Sequence, residues 1–334
     1  MQHVVYSYLD KPNCKAFRLF AMDFSKAFDC VNHEMLSNKL KRLPLDPHII
    51  NWYLSFLDNR QQRVVYNSFE GQWKKINRGT TQGSVSDPYI FNIFINALEL
   101  VLGNQPALFK YADDSSIIVP IWSNGLCRTD LVDEFLTWTN NNKMVCNPVK
   151  CKELVFRKSN YNDNIAQIHN IQQCNELLLL GVTFQSNCKY NLHVKSKLLK
   201  ANKCLFILRS LRKEGMCQEG VDRFFNTVVL PNFTYGLSVY GTSDSDLTAI
   251  QSFLDRSFKR KYISVKIDIR SILEESDLNL YKSRSISPCP IFCILPKEKE
   301  TNYNLRKTSV KRQAVNTERL KNSYVNRLIF KYSI

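Results

Sequence analysis

The run "FRLFAMDF" at 17–24 is apolar at nearly every position until Asp23, which predicts a central strand buried on both faces. "SKAFDCVNHEMLSNKLKRL" then turns helical, with Asp29 or Asn32 placed to cap it. Asp46 followed by Pro47 reads as the N-cap and first position of another helix. "RQQRVVYNSFEGQWKKINRG" alternates as a hairpin turning near Glu70 and Gly71. "SDPYIFNIFINALELVLGN" predicts a buried helix from Asp87-Pro88 to Gly103. "FKYADDSSIIV" (109–119) predicts a second hairpin, followed by a helix around Leu131, Phe135 and Trp138 and a strand "CKELVFRK". A further strand ends at "LLLLGVTFQ".

Strands and helices alternate irregularly with hairpins among them, the pattern of an α+β fold with a mostly antiparallel sheet. From about residue 190 the character changes. Val194, Leu198, Ala201, Leu205, Leu208 and Leu211 form one helical stripe. Lys195, Lys197, Lys200, Lys203, Arg209, Arg212 and Lys213 fill much of the remainder, with no acidic residue before Glu214. Helices are predicted to about 262, and 265–334 is polar, basic and weakly periodic.

The chain has 334 residues, a length that suggests two or three domains. Its 44% hydrophobic and 12% aromatic content suffices for a packed core. Lys and Arg total 46 against 30 Asp and Glu, a net charge of +16. That excess points to a polyanionic partner, with nucleic acid ahead of an anionic membrane surface. No segment approaches the roughly 18 apolar residues of a membrane span, and the opening "MQHVVYSYLDKPN" lacks the pattern of a secretory signal. The 11 cysteines include no C-x-x-C pair, and Cys289 and Cys293 flank a proline away from any histidine. Neither a disulfide scaffold nor a structural zinc site is expected; an intracellular protein with reduced thiols is.

Asp113 and Asp114 stand back to back between apolar runs. A hairpin tip accommodates such a pair, and so does a divalent cation, which turns their repulsion into attraction. A metal site for phosphate chemistry needs oxygen ligands and a third carboxylate. Asp23, ending the buried strand, is the candidate, although taken alone it reads as a strand-end cap.

"AMDFSKAFDCVNH", "RGTTQGSVSDPYIFNIFIN", "YADD", "NPVKCKELVF" and "LLLLGVTF" follow one another in that order. This set resembles the palm motifs A to E of the reverse transcriptases of non-LTR, LINE-type (jockey-like) retrotransposons. "LPNFTYGLSVYG", "DRSFKRKY" and, weakly, "NTERLKNSYVNRLIFKY" extend the likeness over nearly the whole chain. The resemblance implies a right-hand polymerase: a palm at 1–184 with a mostly antiparallel sheet and helices on one face, a basic helical thumb at 189–264, and a basic tail at 265–334. It implies an RNA-directed DNA polymerase that extends a DNA primer 3′-OH with dNTPs on an RNA template. Two Mg²⁺ ions, for which Mn²⁺ can substitute, are implied at Asp23, Asp113 and Asp114, with Phe24 beside them.

The same resemblance places Lys26, Ala27 and the turn after Asp23 at the triphosphate. It places Phe28 under the sugar, where it excludes a ribose 2′-hydroxyl, and Gln82 and Gly83 beside the incoming nucleotide. Lys150 matches a lysine proposed to protonate pyrophosphate, chemistry suited to a cation near developing negative charge. "LGV" at 180–182 matches a primer-grip hairpin, and Lys195, Lys200 and Lys203 would lie along the duplex backbone without reading sequence. Two departures stand out. Asp87 replaces a small residue and is expected to cap its helix. Only residues 1–22 precede Asp23, so the family's fingers are expected to be largely missing and the chain to be a fragment. A group II intron or retron-type polymerase is the in-class alternative, and a catalytically weak nucleic-acid-binding remnant is the other. No membrane is expected as a partner, and the expected setting is an intracellular ribonucleoprotein, nuclear or cytoplasmic.

Overall fold

A computed structural model describes residues 1–158, 161, 163–241, 243–283 and 315–332; Cys289 and Cys293 lie outside the described residues. The fold is α+β. Its main sheet has five strands in the order Gln172–Cys174, Lys152–Arg157, Cys14–Met22, Asp114–Trp122, Leu108–Tyr111. The strand built on the apolar run is the central one, buried throughout except at Lys15 and Ala21. The sheet is mixed, where a mostly antiparallel one was expected. Leu108–Tyr111 pairs antiparallel with Asp114–Trp122, whereas Lys152–Leu154 runs parallel to Gln172–Cys174. The intervening 158–171 is long enough for the crossover that a parallel pair requires.

Two compact units emerge from the contacts. One comprises 18–155 and 162–174. Its core gathers Phe20, Met22, Phe91, Phe94, Ile117, Val119 and Phe135. Burial of each such side chain is worth about 1.5–3 kcal/mol, so the apolar faces of the helices hold them on the sheet.

Helix starts follow local chemistry. Asn32, rather than Asp29, caps His33–Leu40 by accepting the Met35 N–H at 3.0 Å. Asp46 caps Pro47–Leu57 through the His48 N–H at 2.7 Å. Asp87 is not a cap: Ser86 holds that position, and Asp87 is the first residue of the helix Asp87–Asn96, buried, with Oδ1 accepting no hydrogen bond. That helix also stops before Gly103. Val101–Leu102 pairs instead with Gln105–Pro106 around Gly103 and Asn104, a hairpin that the Gly at φ 60° permits. The hairpin expected at Glu70-Gly71 turns at Asn67 and Ser68, because Tyr66 pairs with Phe69 and Asn67 takes φ 52°.

The other unit comprises 1–17, 156–161 and 175–334. It contains the helix Gln2–Asp10 and the antiparallel hairpin Glu176–Leu179 with Val182–Gln185. Leu180 and Gly181 form its two-residue turn at φ 45° and 79°, the positive pair that such turns favour. Helix Asn191–Lys213 buries Val194, Ala201, Leu205 and Leu208, as the stripe predicted, and leaves Lys195, Lys200 and Lys203 exposed.

The described residues beyond 265 are more ordered than their weak periodicity suggested. Helices Ile269–Ser283 and Tyr324–Tyr332 form, and Arg327 holds the buried Asp277 through contacts of 3.0 and 2.9 Å. Asp277 interrupts the apolar face of its helix, which conceals the stripe in the sequence. No described helix is long and apolar enough to cross a membrane.

Candidate functional site

Asp23 immediately follows the central strand, and segment 145–151 fixes its backbone. The Asn147 N–H donates to the Asp23 carbonyl at 2.8 Å, and the Asp23 N–H donates to Cys151 Sγ at 3.4 Å. Next in the chain, Phe24 bridges Cys146 in antiparallel fashion and the Ser25 N–H donates to the Val145 carbonyl. Asp113 lies with Ala112 in a two-residue turn, for Tyr111 pairs with Asp114 across it. The bland turn reading and the metal reading of this acidic pair are therefore compatible.

Asp114 feels the charge of both other aspartates. The Asp114 carboxyl is raised above its ordinary range by lost hydration, then by the charge of Asp113, then by that of Asp23. Asp114 itself is exposed. Asp23 Oδ2 is buried and accepts no hydrogen bond. Lys150 Nζ stands 3.7 Å from it, beyond hydrogen-bond length, and the lysine side chain is 67% exposed. Such a pair contributes about 0–1 kcal/mol and leaves most of the local repulsion in place. Among the described residues no three His, Cys, Asp or Glu side chains form a group that could hold a metal ion. The donor type alone fits a hard divalent cation: carboxylate oxygens, one of which, Asp23 Oδ2, lacks a hydrogen-bond donor.

The turn after Asp23 has Lys26 at φ 49°, ψ 51°, exposed, and Ala27 buried behind it. Phe28 is half-buried, its ring 4.5 Å from that of Phe91. Its carbonyl accepts the Thr80 N–H at 2.9 Å. Gln82 Nε2 donates to Asp29 Oδ1 at 2.8 Å, and the Gly79 N–H donates to the Val31 carbonyl. The segment 79–82 is thus laced onto 28–31. Gly83, at φ 87° with open space where a Cβ would project, continues that turn.

Two relationships escaped sequence reasoning. Asp29 is the partner of Gln82 instead of a helix cap, and no spacing rule joins positions so far apart. Cys146 and Cys151 bring their sulfurs to 3.4 Å. The S–H of Cys146 holds the Cys151 thiol down to about 7, while Cys146 itself is pushed up. Lys195, Lys200 and Lys203 belong to the other compact unit.

Residues 9–184 match the sequence profile described as reverse transcriptase (RNA-dependent DNA polymerase). The chain is 25% identical over 300 residues to the probable RNA-directed DNA polymerase from transposon BS of Drosophila melanogaster, covering 84% of this chain and 32% of that protein. It is 24% identical over 261 residues to the RNA-directed DNA polymerase from mobile element jockey of the same fly, covering 72% and 28%. The chain thus spans about a third of the length of these curated relatives. Telomerase from Candida tropicalis in complex with a TWJ fragment of telomeric RNA aligns at 11% identity, over 85% of this chain and 50% of the other. Its TM-score of 0.42 is too low to define the fold. The motif resemblance and these relatives agree, and the matched profile spans more than half of the sequence: the chain belongs to the reverse transcriptase (RNA-dependent DNA polymerase) family.

Proposed function

We propose that this chain is part of an RNA-directed DNA polymerase of a non-LTR, LINE-type retrotransposon, extending a DNA primer on an RNA template. The observation that carries the proposal is the reverse transcriptase profile matched over residues 9–184, within which Asp23 directly follows the central strand and Asp113 and Asp114 sit at a hairpin turn. In this reading 1–184 is the palm, 189–264 a thumb and 265–334 a basic tail. Asp23, Asp113 and Asp114, with Phe24 beside them, would hold two Mg²⁺ or Mn²⁺ ions. When bound, those ions supply activation of the primer 3′-OH and stabilisation of the leaving pyrophosphate.

The chain's own residues do the positioning. The turn through Lys26 and Ala27 offers backbone N–H groups and one cation to a triphosphate. Phe28, backed by Phe91, presents its ring below the sugar, and Gln82, oriented by Asp29, sits with Gly83 beside the incoming base. Lys150 carries an ammonium to the same carboxylate cluster and is placed to protonate pyrophosphate. Lys195, Lys200 and Lys203 hold a duplex backbone by charge. The partners are RNA template, DNA primer and dNTPs, in a nuclear or cytoplasmic ribonucleoprotein.

That no three described side chains form a group able to hold a metal ion favours a second reading, a nucleic-acid-binding remnant of such an element. Mn²⁺ binding to the chain with primer–template and a non-hydrolysable dNTP separates the two. The polymerase reading expects specific binding that Asp23→Asn and Asp113→Asn each weaken by about tenfold or more. Bound primer–template without specific Mn²⁺ supports the remnant.

A further inference from the structure

Segment 146–151 carries two thiols that the proposed chemistry leaves unused. Cys146 Sγ and Cys151 Sγ lie 3.4 Å apart, roughly 1.4 Å longer than the ~2.05 Å of a disulfide. The backbone brings them together. The N–H groups of Lys150 and Cys151 both donate to the Asn147 carbonyl at 3.1 Å, so the chain reverses between the two cysteines. Cys146 is half-buried and open to reagent, whereas Cys151 is 1% exposed. Other thiols are engaged differently: Cys14, Cys30 and Cys174 donate to backbone carbonyls.

We propose that Cys146 and Cys151 form a thiol–disulfide modification site, closed by exchange with a low-molecular-weight disulfide of the oxidised glutathione class. Cys146 passes its proton to the neighbouring sulfur of Cys151, present as the thiolate, and attacks one sulfur of the small disulfide. The S–S bond of the reagent breaks, and its first half leaves as a thiol, taking from solvent the proton that Cys151 had released. Cys151 then attacks the Cys146 sulfur of the mixed disulfide and displaces the second half, which takes the Cys151 proton. Two protein thiols are oxidised to one intramolecular disulfide, and one small disulfide is reduced to two thiols. The buried partner suits the second step, because it meets only a sulfur already delivered by Cys146.

Closure has a structural consequence at Asp23. The ring it forms encloses Asn147, whose N–H holds the Asp23 carbonyl, and Lys150, whose ammonium reaches Asp23 Oδ2. The disulfide would fix that turn against Asp23. Its formation does not depend on the polymerase reading, so the two stand or fall separately.

The test is to equilibrate the full chain in graded ratios of oxidised to reduced glutathione, alkylate the remaining thiols and map peptides by mass. The peptide containing both cysteines should appear without alkyl groups and lighter by two hydrogen masses, at ratios where Cys14 and Cys174 remain alkylated. Dithiothreitol should restore two alkylation sites. In Cys146→Ser, which keeps a small polar side chain at a half-buried position, Cys151 should remain alkylated throughout. In Cys151→Ser, Cys146 should accumulate the mixed disulfide. Two alkyl groups on the wild-type peptide at every ratio would overturn the proposal, and so would a wild-type mixed disulfide at Cys146 that Cys151 never resolves.

Discussion

Arg18 and Glu153 neutralise each other inside the sheet whose central strand leads into Asp23. Nε to Oε1 is 2.5 Å and Nη2 to Oε2 is 3.1 Å, with the side chains 5% and 0% exposed. Gln173 Nε2 donates to the same carboxylate, and Arg18 Nη2 also donates to the Ala166 carbonyl. Arg18→Ala leaves Glu153 charged and buried, which costs about 3–5 kcal/mol. Urea unfolding should show that loss, and Arg18→Met with Glu153→Leu should recover most of it. A loss below about 1 kcal/mol would place the pair among weak surface contacts.

Acid should destabilise the unit that contains His193. Burial first, then Lys197 and Lys200, lower its pKa from 6.5 to about 4. Nδ1 accepts the Thr183 N–H at 3.1 Å, and the ring lies against Tyr240. The unfolded chain takes up a proton below 6.5 that the folded chain refuses until about 4. The neutral ring therefore contributes stability above 6.5 that is lost as pH falls toward 4, up to roughly 3 kcal/mol. Melting curves across that window should fall less steeply for His193→Gln than for wild type. Equal slopes would mean that His193 titrates normally.

Phe28→Val should raise incorporation of ribonucleotides relative to deoxyribonucleotides, because ring volume is removed where a 2′-hydroxyl would project. Incorporation ratios in single-turnover assays measure this. An unchanged ratio would leave Phe28 a packing partner of Phe91 alone.

Charge on helix Asn191–Lys213 should govern duplex affinity. Replacing Lys195, Lys200 and Lys203 together by Ala should flatten the slope of log K against log salt by roughly 1–3 units, according to how many contact phosphate. The same slope in both proteins would remove these lysines from the binding surface.

Local chemistry made much of this structure legible. Asp46-Pro47 carries its own helix start, and the run at 17–24 could only be a buried strand. Competition between signals explains several differences. The apolar pattern from Tyr89 to Leu102 reads as one helix, yet Gly103-Asn104 is also a hairpin turn, and pairing of Val101 with Pro106 prevails. Asn67 outcompetes Gly71 as the turn residue because the cross-strand register places it at the tip. Of the site, the order of motifs proposed Asp23, Asp113 and Asp114, and the charges of the first two act on the Asp114 carboxyl. The Asp29–Gln82 contact was illegible because it depends on how two distant loops settle together, and the Cys146–Cys151 pair because it depends on how one short turn reverses the chain.

Single-nucleotide extension of a DNA primer on an RNA template, in Mg²⁺, by the full chain and by Asp113→Asn tests the polymerase reading most directly. Template-directed extension should be slow in the wild type and fall by roughly a further hundredfold in the variant, with primer–template affinity little changed. Equal extension by both proteins, or none by the wild type while primer–template and metal are bound, would contradict it.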